Sequence, residues 1–340
     1  MENVALVGID IGKNTFHIHA QDRTGHCLTR KKFNRAKLYE FLVNLSPTTI
    51  VMEACGGAHY LARRLTLLGH KVKLLPAQFV KPFVKSNKND FIDAEAICEA
   101  ASRPNMRFVT PKTESQQQIA VLHCVRDALV RDRVRTVNQM HGFLLEFGIS
   151  LPKASVVKKV IPILLEDETL PPVFVKTLRR MLDHHRYLSD EITEIEKEIE
   201  ELLAGDELGH RLLSIPGVGL ITASVLATEL GDGKHYANSR CFASAVGLVP
   251  RQYSTGGKTK LLGISKRGNK NLRRLLVQCA RAFMARLEYR KGALADWVRD
   301  LCCRRHKNVV ACALANKLAR ISWALINNRS YFDNQELVIE

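Results

Sequence analysis

The sequence predicts an α/β domain at the N-terminus, a helical connector with a coiled-coil seam, and a mainly helical, strongly basic C-terminal domain. Three observations predict this architecture. Short apolar runs alternate with helical patterns up to about residue 90, as in α/β folds. Apolar residues then recur at helical spacing from 178 to 202, and basic residues accumulate after Lys234. The predicted boundaries are 1–148, 149–206 and 207–340.

The N-terminal elements begin with a continuous apolar run over residues 3–9, which is typical of a strand buried on both faces. A second run over 15–20 follows the turn after Asp10, and Asp22-Arg-Thr-Gly predicts a hairpin into a third strand that ends near Phe33. The pattern then predicts a helix, a strand, a helix, a strand and two helices, over residues 36–45, 49–52, 61–68, 72–75, 92–101 and 114–147.

The connector is predicted from a proline cluster and an apolar seam. Pro152, Pro162, Pro171 and Pro172 interrupt the helical pattern. The helix that follows has acidic flanks, so its seam needs a partner helix. Two partners are open: the 114–147 helix of the same chain, or a second subunit in a coiled coil. The seam residues are Leu178, Met181, His185, Leu188, Ile192, Ile195, Ile199 and Leu202.

The charge of the chain is unevenly distributed. It has 51 basic and 34 acidic residues, a net charge of +17. From Lys234 to Arg329 there are 21 basic and three acidic residues, so this segment carries +18 and the remainder about −1. Such asymmetry indicates a polyanionic partner, above all nucleic acid, over a generic solubilising surface.

Other function classes are disfavoured by the pattern of the chain. The longest uncharged apolar stretch, 212–228, contains Ser-Ile-Pro-Gly-Val-Gly and so does not predict a membrane span. The first residues lack the pattern of a signal peptide, and the nine cysteines include no Cys-x-x-Cys pair. We therefore expect a cytoplasmic protein with reduced cysteines.

Four acidic residues stand where an α/β sheet presents chemistry. Asp10 ends the first strand, Glu53 follows the strand that ends at Met52, and Asp90 and Asp93 begin a helix on one face. Carboxylates this close repel one another unless they share a cation, and oxygen ligands suit Mg²⁺ or Mn²⁺. Two such ions about 4 Å apart could clamp a phosphodiester. Individually, each acid could instead be a helix cap or a surface residue.

Two C-terminal motifs predict contact with phosphate. Ser-Ile-Pro-Gly217-Val-Gly219 before an apolar helix predicts a helix-hairpin-helix turn, whose backbone N–H groups can hold a DNA phosphate; an ordinary tight turn is the alternative. The basic, glycine-rich stretch around Ser254 and Thr255 predicts a nucleophile or a phosphate-binding loop, with a solvated hairpin as the alternative. Its candidate nucleic-acid contacts are Arg251, Lys258, Lys260, Lys266, Arg267, Arg273 and Arg274.

Six motifs in this order resemble a known family, the bacterial insertion-sequence transposases with a DEDD motif, related to Piv-type DNA invertases. Gly-Ile-Asp10-Ile-Gly-Lys, Met-Glu53-Ala-Cys-Gly and Asn-Asp90-Phe-Ile-Asp93-Ala look like the family's acidic tetrad on a RuvC-like RNase H fold. Ser-Ile-Pro-Gly-Val-Gly, Gly-Leu-Val-Pro-Arg-Gln-Tyr-Ser-Thr-Gly-Gly-Lys and Ile-Ser-Lys-Arg-Gly-Asn look like its C-terminal transposase domain. The resemblance covers nearly the whole chain.

The resemblance implies a Mg²⁺-dependent recombinase of a bacterial, nucleoid-associated kind. It implies that a serine in the C-terminal loop forms a covalent protein–DNA intermediate, and that this loop works with the acidic tetrad across subunits. It also implies a structured bridge RNA that chooses donor and target DNA. Because the seam needs a partner and the active site would be split, we expect a homodimer or homotetramer.

The nucleophile is ambiguous between two hydroxyls. An ungapped match to the family places Thr255 in the serine position before the glycine, with Ser254 one residue earlier. Ser254 is favoured because a primary hydroxyl is the less hindered attacker, and Thr255 is the alternative. Other functions stay open: a RuvC-like metal-dependent nuclease that uses water, a non-catalytic nucleic-acid-binding regulator and, ranked last, an actin-like sugar kinase.

Overall fold

The computed structural model describes residues 3–85, 89–151, 166 and 169–333. The chain forms two compact units, Met1–Ser115 and Gln116–Glu340. The predicted three-part division at 148 and 206 stays a prediction. Part of its connector, residues 152–165 and 167–168 with Pro152 and Pro162, lies outside the described residues.

The first unit is built on a mixed five-stranded sheet in the order β3-β2-β1-β4-β5. Strands β1, β2 and β3 are antiparallel neighbours, whereas β1, β4 and β5 run parallel. A parallel pair needs a crossover, and α1 supplies it between β3 and β4. The strands span Leu6–Ile11 (β1), Phe16–Gln21 (β2), Cys27–Phe33 (β3), Thr49–Glu53 (β4) and Lys71–Leu75 (β5), and α1 spans Arg35–Val43.

Helices cover both faces of this sheet. Ile50 on β4 packs into a core with α1 and α2, while its neighbour Val51 points to the opposite face and packs with α4, as strand alternation requires. The predicted strands and helices of this unit are confirmed, with ends that differ by three residues or fewer. The remaining helices are α2 (Ala58–Leu67), α3 (Ala77–Val80), a 3₁₀ turn (Lys81–Phe83) and α4 (Asp90–Ala101).

The second unit is mostly helical, with one small hairpin. Its largest core gathers apolar side chains from seven helices. The helices are α5 (Glu114–Leu145), α6 (Pro172–Ala204), α7 (Glu207–Leu213), α8 (Leu220–Leu230), α9 (Ser239–Ala245), α10 (Lys270–Ala285), α11 (Ala293–Arg304) and α12 (Lys307–Asn328). The hairpin strands are β6 (Pro250–Gln252) and β7 (Leu261–Ile264), and Leu287–Tyr289 is a 3₁₀ turn.

Helix α12 is long and apolar enough to cross a membrane by length and composition. Its apolar face, however, lies inside the helical core of the second unit, where Val310, Leu314 and Leu318 are fully buried. Core helices of this kind pass the same hydropathy test as membrane spans.

The partner of the predicted seam is α5 of the same chain. Met140 on α5 clusters with Leu182 on α6, and Leu144 clusters with Leu178. Further along, Nε of Arg126 donates to Glu196 Oε1 at 2.7 Å. Because positions late in α5 meet positions early in α6, the two helices are antiparallel. The seam is therefore covered without a second subunit.

The seam itself drifts away from the predicted heptad positions at both ends. Leu182 and Leu203 are buried, whereas the predicted Met181 is only half-buried and Leu202 is 42% exposed. From Phe174 to Leu203 the buried positions recur every 3.6 residues or so, the period of a straight helix rather than the 3.5 of a supercoil. The sequence pattern resembled a coiled coil because the two periods coincide over the middle of the helix.

Gly268 fixes the loop between β7 and α10, and its substitution should be costly. Its φ is +74°, and a Cβ there would lie 1.7 Å from the carbonyl oxygen of Ala245. We expect Gly268→Ala to lower the free energy of unfolding by more than about 2 kcal/mol. Chemical denaturation measures this against Gly142→Ala in α5, where a Cβ meets nothing within 4 Å. Equal stabilities of the two variants would contradict the tight packing of this loop.

Candidate active-site residues

Two of the predicted acids stand together at one edge of the sheet. Strands β1 and β4 are parallel neighbours, and Ile9 lies opposite Met52. Asp10 and Glu53 are the next residues of the two strands and are therefore adjacent. Both side chains are half-buried. The carboxyl ends of parallel strands are where open α/β sheets place their ligands.

The other two acids are brought to this edge by a close helix–strand contact. Asn89 caps α4 by accepting the N–H of Phe91, which places Asp90 and Asp93 in the first helical turn. On β1, a Cβ at Gly8 would lie 2.5 Å from the carbonyl oxygen of Ala94 in α4. A glycine at that position therefore lets α4 approach β1 closely enough for its acids to reach Asp10.

Three of the four predicted acids form one cluster. One carboxylate oxygen each from Asp10, Asp90 and Asp93 lies within 4.8 Å of the others. Asp90 is exposed, and the other two are half-buried. Glu53 lies outside this group, yet its charge also acts on Asp10. We call Asp10, Asp90 and Asp93 the acidic cluster.

The electrostatics of the acidic cluster are unfavourable without a counterion. Burial raises the pKa of Asp10, and the carboxylates of Asp93 and Asp90 raise it further. His17 acts in the opposite direction and lowers the pKa of Asp10. A carboxyl with a raised pKa, placed among other carboxylates, is typical of a site that binds a cation or a proton.

His17 is a site residue that the sequence reasoning missed. Its side chain is buried, its Nδ1 lies 3.5 Å from Oδ2 of Asp90, and its ring meets that of Phe91 edge-on at 4.7 Å. A usable signal was present in the sequence. A tight turn at Gly12–Thr15 pairs Ile11 with Phe16, which makes His17 the cross-strand neighbour of Asp10 on the same face.

The predicted hydroxyls lie in the β6–β7 hairpin of the second unit. Gly256 and Gly257 both have positive φ values, +54° and +76°, and form the turn between Thr255 and Lys258. The whole turn is exposed. Positive φ at both central positions is typical of the tight turns that connect twisted strands, and glycine adopts it at no steric cost.

The two hydroxyls differ in their contacts. Oγ of Ser254 accepts the side-chain N–H of Gln252 at 2.8 Å and the backbone N–H of Lys260 at 3.4 Å. Thr255 instead contributes its backbone to the turn, by accepting the N–H of Lys258 at 3.0 Å. N–H donors aimed at an oxygen stabilise the negative charge that develops on it, so the surroundings of Ser254 suit a nucleophile.

The predicted basic contacts fall into two groups. Five of them are exposed on the hairpin and the loop after it: Arg251, Lys258, Lys260, Lys266 and Arg267. Arg273 and Arg274 already have protein partners. Nη1 of Arg273 donates to the carbonyl oxygens of Val246 and Arg267, both at 2.9 Å, and Nη2 of Arg274 donates to Asp127 at 2.7 Å. These two arginines therefore stabilise the loop and helix packing.

The predicted helix-hairpin-helix turn lies between α7 and α8. Gly217 has a φ of +90°, and a Cβ there would lie 3.1 Å from the carbonyl oxygen of Cys279 in α10. This glycine therefore permits internal packing. Gly219 is exposed and caps the N-terminus of α8, so it is the position of the two that is open to a phosphate.

The chain combines a carboxylate cluster at the edge of an α/β sheet with a helical region of charge +18. This combination is typical of an enzyme that acts on nucleic acid. Comparison with known families identifies which kind of enzyme it is. The profile of the "Transposase IS116/IS110/IS902 family" matches residues 209–294, and the DEDD transposase profile of the IS110 group matches residues 7–149.

Similar proteins match over almost their full length. The transposase for insertion sequence element IS1328 from Yersinia enterocolitica is 60% identical, covering 98% of this chain and 99% of the relative. The transposase for IS1111A from Coxiella burnetii is 37% identical over 98% and 92%. The pilin gene-inverting protein of Moraxella bovis is 26% identical over 97% and 98%.

The chain belongs to the IS110/IS116 family of DEDD transposases, enzymes of DNA transposition. The family resemblance seen in the motifs is thereby confirmed, and the likeness to pilin gene-inverting proteins agrees with the predicted relation to invertases. Membership favours DNA transposition over the sugar kinase and the non-catalytic regulator.

Proposed function

We propose that this transposase cleaves and rejoins DNA strands through Ser254, which forms a covalent protein–DNA intermediate. In the forward step a bond forms between Oγ and phosphorus, a strand P–O bond breaks, Ser254 loses its hydroxyl proton, and the leaving oxygen takes one up. The reverse step with the hydroxyl of another strand joins the DNA. The observation that carries the proposal is the pair of N–H donors on Ser254 Oγ, in an exposed, basic hairpin.

The acidic cluster fits a divalent cation. Its three carboxylates converge within 4.8 Å. Burial raises the pKa of Asp10, and repulsion from Asp93 and Asp90, which a cation would relieve, raises it further. Asp10, Asp90 and Asp93 would hold one or two Mg²⁺ or Mn²⁺ ions, with Glu53 at the same sheet edge. When bound, such an ion polarises a phosphodiester and neutralises its developing charge.

The proposal is tested by trapping the intermediate. Incubation with labelled DNA carrying the element's ends, followed by denaturing electrophoresis, should give a slowly migrating protein–DNA band. Asp93→Asn should remove this band, because it removes one carboxylate of the cluster. If the wild type nicks DNA in Mg²⁺ and never retains the label, the nucleophile is water and the structure-specific nuclease alternative replaces this proposal.

His17 should matter for cation binding, because its side chain contacts Asp90. Residues that orient a metal ligand typically affect metal affinity by 10–100-fold, so we expect His17→Ala to weaken Mn²⁺ binding by about tenfold. Isothermal titration measures this. His19→Ala is the matched control, since His19 is equally buried and lies on the same face of β2. Equal Mn²⁺ affinities of the two variants would remove His17 from the site.

The guide RNA and the oligomer are proposed on the family resemblance. The exposed basic residues of the β6–β7 hairpin suit an RNA as well as a DNA backbone. RNA that copurifies with the protein at high salt, and that derives from the element itself, would support a bridge RNA. Since α5 covers the seam of α6 within the chain, the seam does not support the predicted homodimer or homotetramer.

A further inference from the structure

A cavity of about 400 Å³ opens at the same edge of the sheet as the acidic cluster, on the side of Ile11. It lies between the turn after β1, the start of α1 and the loop before α2, with Phe16 and Leu61 among its apolar lining residues. Ile11, the residue after Asp10, also lines it. Because neighbouring residues of a strand alternate, Asp10 faces α4 and Ile11 faces the cavity. Its volume is within the range of sites that hold one small ligand, such as a nucleotide unit.

Two basic side chains line this cavity. Lys13 is exposed in the turn after β1, and Arg35 is exposed at the first position of α1. The guanidinium of Arg35 lies 5.1 Å from the centre of the Phe16 ring, which orients it at the cavity. Neither side chain forms an ion pair with a carboxylate of the described residues. Two cations that form no ion pair with the described carboxylates therefore line the same cavity, which an anionic ligand could enter.

The remaining wall of the cavity leaves room for a ligand to come close to the protein backbone. Gly56 and Gly57 line it, and a Cβ at either position would meet nothing within 4 Å. Helix α2 begins after Gly57 without a side-chain cap. The wall therefore offers open space next to the two cations.

We propose that this cavity binds the sugar–phosphate backbone of the DNA strand, next to the phosphodiester that lies at the acidic cluster. Three residues of extended chain span at most about 10 Å, so Lys13 is within reach of a phosphate one to three nucleotides from a phosphate at Asp10. The cations would hold the strand beside carboxylates that repel it. This inference rests on the proposed function, since it requires the reacting strand to lie at the acidic cluster.

The salt dependence of binding tests the proposal on the full chain. Affinity for a fluorescein-labelled, mixed-sequence, single-stranded oligodeoxynucleotide is measured by anisotropy, with Ca²⁺ in place of Mg²⁺. Removing a cation that neutralises one phosphate should lower the slope of log K against log salt by about 0.7. We expect the double variant Lys13→Ala/Arg35→Ala to lower the slope by about 1.4 and to bind about tenfold more weakly. Arg35→Lys keeps the charge and should retain most of the slope.

A charge-matched control variant distinguishes phosphate binding in the cavity from non-specific electrostatic attraction by the whole protein. Lys37→Ala/Arg64→Ala also removes one lysine and one arginine, both exposed and on the helices α1 and α2 beside the cavity. It should leave the slope nearly unchanged. Cys55, which lines the cavity, gives a local readout: the oligonucleotide should slow its alkylation by iodoacetamide in the wild type but not in Lys13→Ala/Arg35→Ala.

The outcomes separate this inference from the proposed function. Equal slopes for the two double variants, or alkylation of Cys55 unaffected by DNA, would overturn the cavity assignment, even if the wild type forms the covalent adduct. A slope change at the cavity without any adduct would keep the cavity as a strand-binding site while Ser254 loses its role. Preferential protection of Cys55 by RNA of the same sequence would overturn the assignment to DNA.

Discussion

Ser254→Ala should abolish the covalent protein–DNA adduct and slow strand cleavage by at least about 10³-fold. Alanine removes the oxygen that would bond to phosphorus, and loss of a nucleophile is among the most damaging changes to an enzyme of this kind. The loop should keep its shape, because its turn is fixed by the backbone of Thr255, Gly256, Gly257 and Lys258. Single-turnover cleavage of labelled DNA and the denaturing-gel adduct are the two measurements.

Thr255→Ala is the internal control for this prediction. Thr255 lies next to Ser254 and is equally exposed, and its backbone bond to Lys258 survives the change, so the adduct should persist. Gln252→Ala removes one of the two donors to Oγ of Ser254 and should slow cleavage by about tenfold without abolishing the adduct. An adduct that persists in Ser254→Ala and disappears in Thr255→Ala would transfer the role to Thr255.

The sheet and helices of the first unit were predictable because local patterns determine them. The buried run before Asp10, the turn at Asp22–Gly25 and the alternation of strands with helices led to the observed elements. The α6 seam shows where such patterns stop being sufficient. A one-residue shift, from Met181 to Leu182, depends on how the helix meets Met140 of α5, which is a contact between distant parts of the chain.

The candidate site likewise contains residues that the sequence predicts and residues that it does not. The acids could be found because the ends of predicted strands and the start of a predicted helix are recognisable in the sequence. His17 was missed because it becomes the neighbour of Asp10 only across the β1–β2 hairpin. Gln252 was missed because its side chain meets Ser254, two residues further along the chain, only when the loop has folded. The internal partners of Arg273 could not be predicted either, since the carbonyl oxygens of Val246 and Arg267 become its acceptors only when the loop has folded.

Asp10→Asn should raise the stability of the metal-free protein at neutral pH. Burial, Asp93 and Asp90 raise the pKa of Asp10, so its ionised form is disfavoured in the folded state. A carboxyl with a raised pKa in the folded protein loses its favourable contribution as the pH rises from its unfolded to its folded pKa, and at pH 7 its ionisation is a net cost. Asparagine has no charge to repel the other two carboxylates, so the melting temperature in EDTA should increase.

The same variant should lose its response to a divalent cation and nearly all of its strand cleavage. Wild-type protein should melt at a higher temperature in Mg²⁺ than in EDTA, because an ion that binds only the folded state stabilises it. Asp10→Asn should show little shift, with cleavage reduced by about 10² to 10³-fold. Asp22→Asn is the control: hydrogen bonds from Thr24 and His26 lower the pKa of Asp22, so this variant should gain no stability and should keep the response to Mg²⁺. If Mg²⁺ raised the melting temperature of Asp10→Asn as much as that of the wild type, the acidic cluster would not be the binding site of the ion. If Asp10→Asn melted at a lower temperature than the wild type in EDTA, the carboxylate of Asp10 would stabilise the fold.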